Sequence, residues 1–383
     1  MQFKTKMIPL AGAVAVAFAL AGNAHAQEQI VKIGHVGPVT GTDAHMGKDN
    51  ENGARLAVEE LNAKGVVING KKVKLQYMPE DDAADPKQAT AAATKLVDSN
   101  VAVVIGHLNS GATIPASRIY ANAGIVQISP SSTNPKYTQQ GFKTAFRVVA
   151  NDAQLGRVLG QYAVKTLAAK NVAVIDDRTA YGQGVAEEFA KGVKAAGGSV
   201  VASQYTNNKA TDFNAILTAI KAKKPDVIFF GGMDAVGGPM LQQMKQLGIN
   251  AKFMGGDGIC TGSLPGLAGA GLGENQVYCA EAGGVEDARK AGLDKFRAAY
   301  KKRFGIDVVY TAAYAYDATY AVVDAMQKAK SSEPAKYLPE LAKISYPGVT
   351  GTIAFDAKGD IKDGTLTLYT YRGGKRTELA VVK

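Results

Sequence analysis

The apolar positions of this chain alternate between two periods. Ile30 to Val36 reads as a strand; Ala54, Ala57, Val58 and Leu61 then recur at i, i+3, i+4 and i+7, one face of a helix that Gly65 can end. Val73 to Tyr77 alternates like a strand. Asp85-Pro86-Lys87-Gln88 follows as a helix start, with an N-cap, a proline at the first helical position and a glutamine at the capping-box position. Val101 to Ile105 is a continuous apolar run, as expected of a parallel strand buried on both faces, and Ile125 to Ile128 repeats it after another helix. The rhythm restarts after Ala150. Strands are expected at Asn171 to Asp176, Ser199 to Tyr205, Val227 to Phe230 and Lys252 to Met254, with helices near 185–196, 211–223 and 237–247 between them. Beyond Glu281 the pattern turns helical over 286–303, 311–329 and 334–343, and ends in strands at Thr352 to Phe355 and Thr365 to Tyr371. Strand and helix alternating twice over predict an α/β protein of two similar doubly wound lobes with parallel sheets, joined by short hinge strands, so that the late helices can return to the first lobe.

Length, charge and cysteines narrow the setting. Residues 1–26 read as a cleavable export signal: Lys4 and Lys6, an uncharged run from Met7 to Ala21, then Ala24-His25-Ala26. That run is short for a membrane span, which needs about 20 residues. The mature chain is therefore expected in the periplasm, beginning at Gln27. Its 357 residues are too many for one ordinary core. Its formal charge falls from +10 to +8 without the two signal lysines, and the basic residues are scattered in pairs, which argues against nucleic-acid binding. The two cysteines, Cys260 and Cys279, form an even count in an exported chain and are expected to form a disulfide.

In open parallel sheets, ligands sit at the carboxyl ends of the strands, and this selects a few loops. Gly106 to Thr113 follows a strand and opens a helix; its free N–H groups with the Ser110 and Thr113 hydroxyls form an anion site, or the hydroxyls simply cap the helix. Ser129 to Pro135 offers a second set of hydroxyls, or a polar turn held by two prolines. Gly255-Gly-Asp257-Gly sets a carboxylate among glycines, in a turn or against a ligand. Enzyme signals are weak. Ser110 lacks a G-x-S-x-G elbow, no P-loop ending is present, and His35, His45 and His107 lack metal-motif spacing, so neither a metal nor another cofactor is expected.

These loops match a family. Asp81-Asp82-Ala-Ala-Asp85-Pro-Lys-Gln88, Ile105-Gly-His-Leu108, Tyr181-Gly-Gln-Gly184 and Phe253-Met-Gly-Gly-Asp-Gly258 resemble the leucine/isoleucine/valine-binding proteins of bacterial ABC importers, which have the type I periplasmic-binding fold. The resemblance runs over essentially the whole mature chain. It implies a first lobe of 27–150 plus 282–355 and a second of 151–281 plus 356–383. It implies that Ser110 and Thr133 meet a ligand carboxylate, that the Ser131 carbonyl and Asp257 meet an ammonium, and that Tyr181 closes from the second lobe. Asp257 stands where the branched-chain binders often have Glu. Met46 and Met233 replace pocket tyrosines, which keeps the pocket apolar and makes it adaptable. The family's first-lobe disulfide is absent, its positions being Ala84 and Asn109. The resemblance implies a monomeric binding protein, not an enzyme, that delivers an apolar amino acid to membrane permease and ATPase subunits. The alternatives are another small carboxylate or amide as ligand, or a sensing domain of the same fold.

Overall fold

The computed structural model describes residues 1–2, 29–283 and 287–382; the expected export signal lies outside the described residues. The chain begins with β1 (Gln29–Gly37), α1 (Ala44–Lys64), β2 (Val66–Ile68), β3 (Lys71–Asp81), α2 (Pro86–Asp98), β4 (Val103–Gly106), α3 (Ser110–Asn122), β5 (Val126–Ser129), α4 (Lys136–Gln139) and β6 (Ala145–Arg147). It continues with α5 (Asp152–Lys165), β7 (Asn171–Asp176), α6 (Ala180–Ala195), β8 (Ser199–Tyr205), α7 (Asn214–Lys221), β9 (Val227–Gly231), α8 (Asp234–Gln246), β10 (Lys252–Gly255), α9 (Leu264–Ala268) and β11 (Val277–Ala282). Then come α10 (Asp287–Phe304), α11 (Ala312–Lys328), α12 (Pro334–Ala342), the short pair β12 (Tyr346–Pro347) and β13 (Thr352–Ile353), β14 (Leu366–Arg372) and β15 (Lys375–Val382).

Two sheets result. The first runs β2-β3-β1-β4-β5-β6 and the second β15-β14-β11-β10-β9-β7-β8. Both are mostly parallel, as expected, with antiparallel pairs at their edges. β2 pairs antiparallel with β3, and β14 antiparallel with both β11 and β15. The reason is local. Asn69-Gly70 and Gly373-Gly374 all take positive φ, the two-residue turn whose twist suits an antiparallel hairpin.

Each sheet carries its own core. α11 and α12 return to the first sheet, where Ala318, Val322 and Leu341 pack with Ile33, Val103 and Ile128. The second sheet is covered on one face by Leu159, Val185 and Phe189 and on the other by Leu217, Met240 and Met244. The chain crosses between the halves three times: through 148–150, after β11, and between Phe355 and β14. The last crossing is a turn closed by the Phe355–Ile361 bridge rather than a hinge strand. α2 starts as its sequence dictates, with Asp85 accepting from the Lys87 and Gln88 N–H groups, and Gly65 ends α1 at φ +78°. No described helix is long and apolar enough to cross a membrane. Cys260 and Cys279 are bonded, with Cα atoms 5.4 Å apart. The bond ties β11 to the loop after β10, deep in the second core.

Candidate functional site

Parallel strands of both sheets end at the seam between the halves, and their loops carry most of the polar residues singled out above. On the first half, Ser110 opens α3. Its hydroxyl accepts from the Asn134 N–H at 3.3 Å and from the Ser132 hydroxyl at 3.2 Å. It does not cap the helix. The N-cap position belongs to Asn109, whose side chain instead donates to Asp43 at 2.9 Å. Thr113 is turned away, donating to the carbonyls of His107 and Asn109. Ser131 donates to the Leu108 carbonyl and accepts from Asn50 of α1. Thr133 is buried, and its hydroxyl lies by the Asp152 carboxyl without a hydrogen bond of ordinary geometry.

A residue absent from the sequence reading holds this loop in place. Arg147, at the end of β6 and fully buried, donates to the carbonyls of Ser132 and Asn134 at 2.9 and 3.0 Å, to the Thr138 hydroxyl at 2.7 Å and to Asp360 at 2.6 Å. A buried guanidinium needs its donors satisfied and a counter-charge. Here both come from the loop it braces and from the third crossing.

On the second half, Asp257 follows β10 and is buried. Its two oxygens accept from the hydroxyls of Tyr181 at 2.7 Å and Tyr310 at 2.8 Å. The glycines on either side make room for Tyr181: a Cβ at Gly256 would lie 2.7 Å from its oxygen and one at Gly258 2.8 Å from its ring. Tyr181 sits in the first turn of α6, which starts earlier than expected because the Thr179 hydroxyl accepts from the Gly182 N–H. Tyr310 precedes α11 and so comes from the part of the chain that packs on the first sheet. Buried Asp49 of α1 fixes it by accepting from the N–H groups of Val309, Tyr310 and Ala312.

A second acid was also missed. Asp152, the first residue of α5, is fully buried, and neither of its oxygens has a hydrogen bond of ordinary geometry. Burial and then the Asp257 charge push its carboxyl well above the usual range, and the Thr133 hydroxyl holds it down in part. Burial likewise raises Asp257, against the pull of Tyr181 and Tyr310. Two carboxyls raised by burial, one of them further by the other's charge, lend themselves to an arriving cation, which restores charge to both.

Met46 and Leu108 of the first half belong to the same buried apolar cluster as Tyr181 and Met233 of the second, with Tyr310 packed against it. The two halves also touch through Asn134, whose side chain donates to the Ala180 carbonyl at 2.6 Å. The three histidines have different partners. His35 lies in the core against Tyr77, His107 bonds Asp82 and Tyr120, and His45 pairs with Asp234. Among the described residues, no group of His, Cys, Asp or Glu could hold a metal ion. Cavity size points elsewhere, to spaces of about 640 Å³ lined by Phe142, Phe146, Leu338 and Phe355, and about 630 Å³ beside Tyr310, lined by Glu281, Tyr314 and Arg376. Buried polar groups converge instead around Ser110 and Asp257, where the Thr133 hydroxyl and both Asp152 oxygens have no hydrogen bond of ordinary geometry, and convergent polar groups in an apolar wall make a candidate ligand site.

Comparison with known proteins gives the family. Residues 30–375 match the family described as periplasmic binding protein. An amino acid binding protein of Pseudomonas aeruginosa is 38% identical over 363 residues, 94% of each chain. A leucine-, isoleucine-, valine-, threonine- and alanine-binding protein of the same organism is 35% identical over 350 residues, 91% of this chain and 92% of the relative. Among solved structures, the branched-chain amino acid transporter substrate binding protein of Streptococcus pneumoniae in complex with isoleucine superposes with a TM-score of 0.82 at 30% identity, over 92% of this chain and 99% of that one.

Proposed function

Because the chain belongs to the periplasmic binding protein family, we propose that it is the substrate-capturing component of an ABC importer, binding a branched-chain or other apolar amino acid and releasing it unchanged. The observation that carries this reading is the pairing of a hydroxyl-lined helix start with a buried acid pair, beside a buried apolar cluster drawn from both halves. Ser110, Thr133 and the first N–H groups of α3 receive the carboxylate, since a helix N-terminus favours an anion. The Ser131 carbonyl, Asp257 and Asp152 receive the ammonium. Tyr181 and Tyr310 orient Asp257, and Met46 and Met233 line the side-chain pocket.

The lobes of this reading are 27–150 plus 282–355 and 151–281 plus 356–383. They close on the ligand because it contacts both, and a ligand shifts an equilibrium only by its differential affinity for the two states. The export signal of residues 1–26 is cleaved, the mature protein is a periplasmic monomer, and the closed form docks on the permease that its ATPase subunits drive.

Isothermal titration of the mature protein against a panel of amino acids tests the reading. Leucine, isoleucine or valine should bind at one per chain, with methionine and phenylalanine tolerated by the flexible Met46 and Met233. Aspartate and lysine should bind poorly, since each would bury an extra charge. A charged amino acid that displaces leucine at similar concentration would overturn the specificity. Tightest binding by an acid without an ammonium group would move the assignment to another small carboxylate. Unimpaired leucine uptake in cells deleted for the gene would favour sensing over transport.

A further inference from the structure

His45 lies in the first turn of α1, on the first half of the molecule, and Asp234 in the first turn of α8, on the second. Their side chains meet across the seam, Nε2 to Oδ2, at 3.0 Å. Asp234 is fully buried, whereas the His45 side chain is 28% exposed, so the pair closes the seam at its solvent edge. Asp234 has two further supports on its own half: the Thr261 hydroxyl donates to the same oxygen, and the start of α8 favours a negative charge. Its other oxygen has no hydrogen-bond partner. The charged groups around His45 are Asp234 from α8 and Asp43 from the loop before α1; Asp177, from the loop after β7, faces Asp43 in turn. Thr42, Asn109 and Thr261 complete the surroundings. All the charged members of this set are carboxylates, and His45 is their cation.

We propose that His45 and Asp234 form a clasp between the two lobes, a positioning pair that holds the closed form around the ligand and loosens when His45 loses its proton. The proposal rests on the reading of the protein as a two-lobed binding protein. When the lobes part, Asp234 keeps Thr261 and the helix start, while His45 passes into water. The charged hydrogen bond is therefore made only in the closed form, and all of it counts toward retention of the ligand.

The hydrogen bond to Asp234 raises the His45 pKa above its ordinary value; burial opposes this, and the charges of Asp234 and Asp43 add to it. In the open form the imidazole has its ordinary pKa of about 6.5. Below that pH it is charged in both forms and the clasp is complete. As pH rises through the higher closed-form value, the clasp is lost. Affinity for the amino acid therefore falls with rising pH, mainly through faster release.

The test is the release rate and Kd of leucine between pH 5.5 and 8.5 for the mature protein, His45→Gln and Asp234→Asn. The parent should bind at least about tenfold more weakly at pH 8.5 than at pH 6, the low end of what one charged hydrogen bond contributes. Both variants should lack this limb and sit near the parent's high-pH affinity except at the acid end. Asp257 protonation weakens binding at the acid end in all three proteins, so the difference between parent and His45→Gln isolates the clasp. Parallel profiles for the parent and His45→Gln would overturn it. Failure of any amino acid to bind at any pH would instead refute the amino-acid reading. The clasp is then decided by small-angle scattering: the parent should be more compact at pH 5.5 than at 8.5 and His45→Gln should not, and equal parental radii would overturn it.

Discussion

Replacing Asp257 by Asn removes the charge assigned to the ligand's ammonium and almost nothing else. The Asp257 oxygens each accept one hydroxyl, from Tyr181 and Tyr310, so each keeps an acceptor site for an N–H donor. An amide of the same shape still bonds both tyrosines, because a phenol accepts as well as donates. The variant should therefore fold. Burial raises the Asp257 carboxyl even with both tyrosines in place, so the charge is a burden on the ligand-free protein. Asp257→Asn should leave thermal stability without ligand unchanged or slightly higher. Binding should respond in the opposite sense. Removing one partner of a buried charge pair costs about 2–5 kcal/mol, which is roughly 30-fold to several-thousand-fold in Kd at about 1.4 kcal/mol per decade. Titration calorimetry with leucine gives the Kd, and a thermal melt without ligand is the control for folding. A Kd within threefold of the parent would refute the role given to Asp257, leaving Asp152 as the sole acid for the ammonium. A large loss accompanied by a lower melting temperature would show that Asp257 supports the fold instead.

Reduction of the Cys260–Cys279 bond, or the double replacement by Ser, should cost about 3 kcal/mol in the chain-entropy account of a loop closing over 19 residues; urea denaturation with and without reductant measures it, and an unchanged midpoint counts against it. Asp177 tests the pH dependence of stability. Burial pushes its carboxyl up to about 6, from an ordinary 3.8, so between those values the folded state holds more protons than the unfolded one and stability falls as pH rises. Asp177→Asn should remove this loss, gaining up to roughly 3 kcal/mol relative to the parent at pH 7 compared with pH 4; denaturation curves that keep the same difference at both pH values would sink the assignment.

The sheets and most helices were legible because buried parallel strands are apolar throughout and their helices carry one apolar face, patterns that need no knowledge of the partner. The antiparallel edges were equally written in the chain, at Asn69-Gly70 and Gly373-Gly374, and a search for two-residue turns would have found β2 and β15. Helix starts were placed late at α6 and α8, where the first turns carry the poor helix formers Gly182 and Gly237. That error hid the fact that Tyr181 sits in the first turn of α6 and that Asp234 sits at the start of α8. The residues that escaped altogether share a different cause. Asp152, Arg147 and Tyr310 occupy positions where an acid, a base and an aromatic are each ordinary on a surface. What sets them apart is burial between two halves of the molecule, and burial at a seam follows from how the chain returns to the first sheet after β11. Tyr310 reaches Asp257, 53 residues before it, only because Asp49 of α1 pins the turn that carries it. A site built between lobes thus draws its hydroxyls from strand ends, where sequence rules apply, and its orienting groups from crossings that only the folded chain brings together.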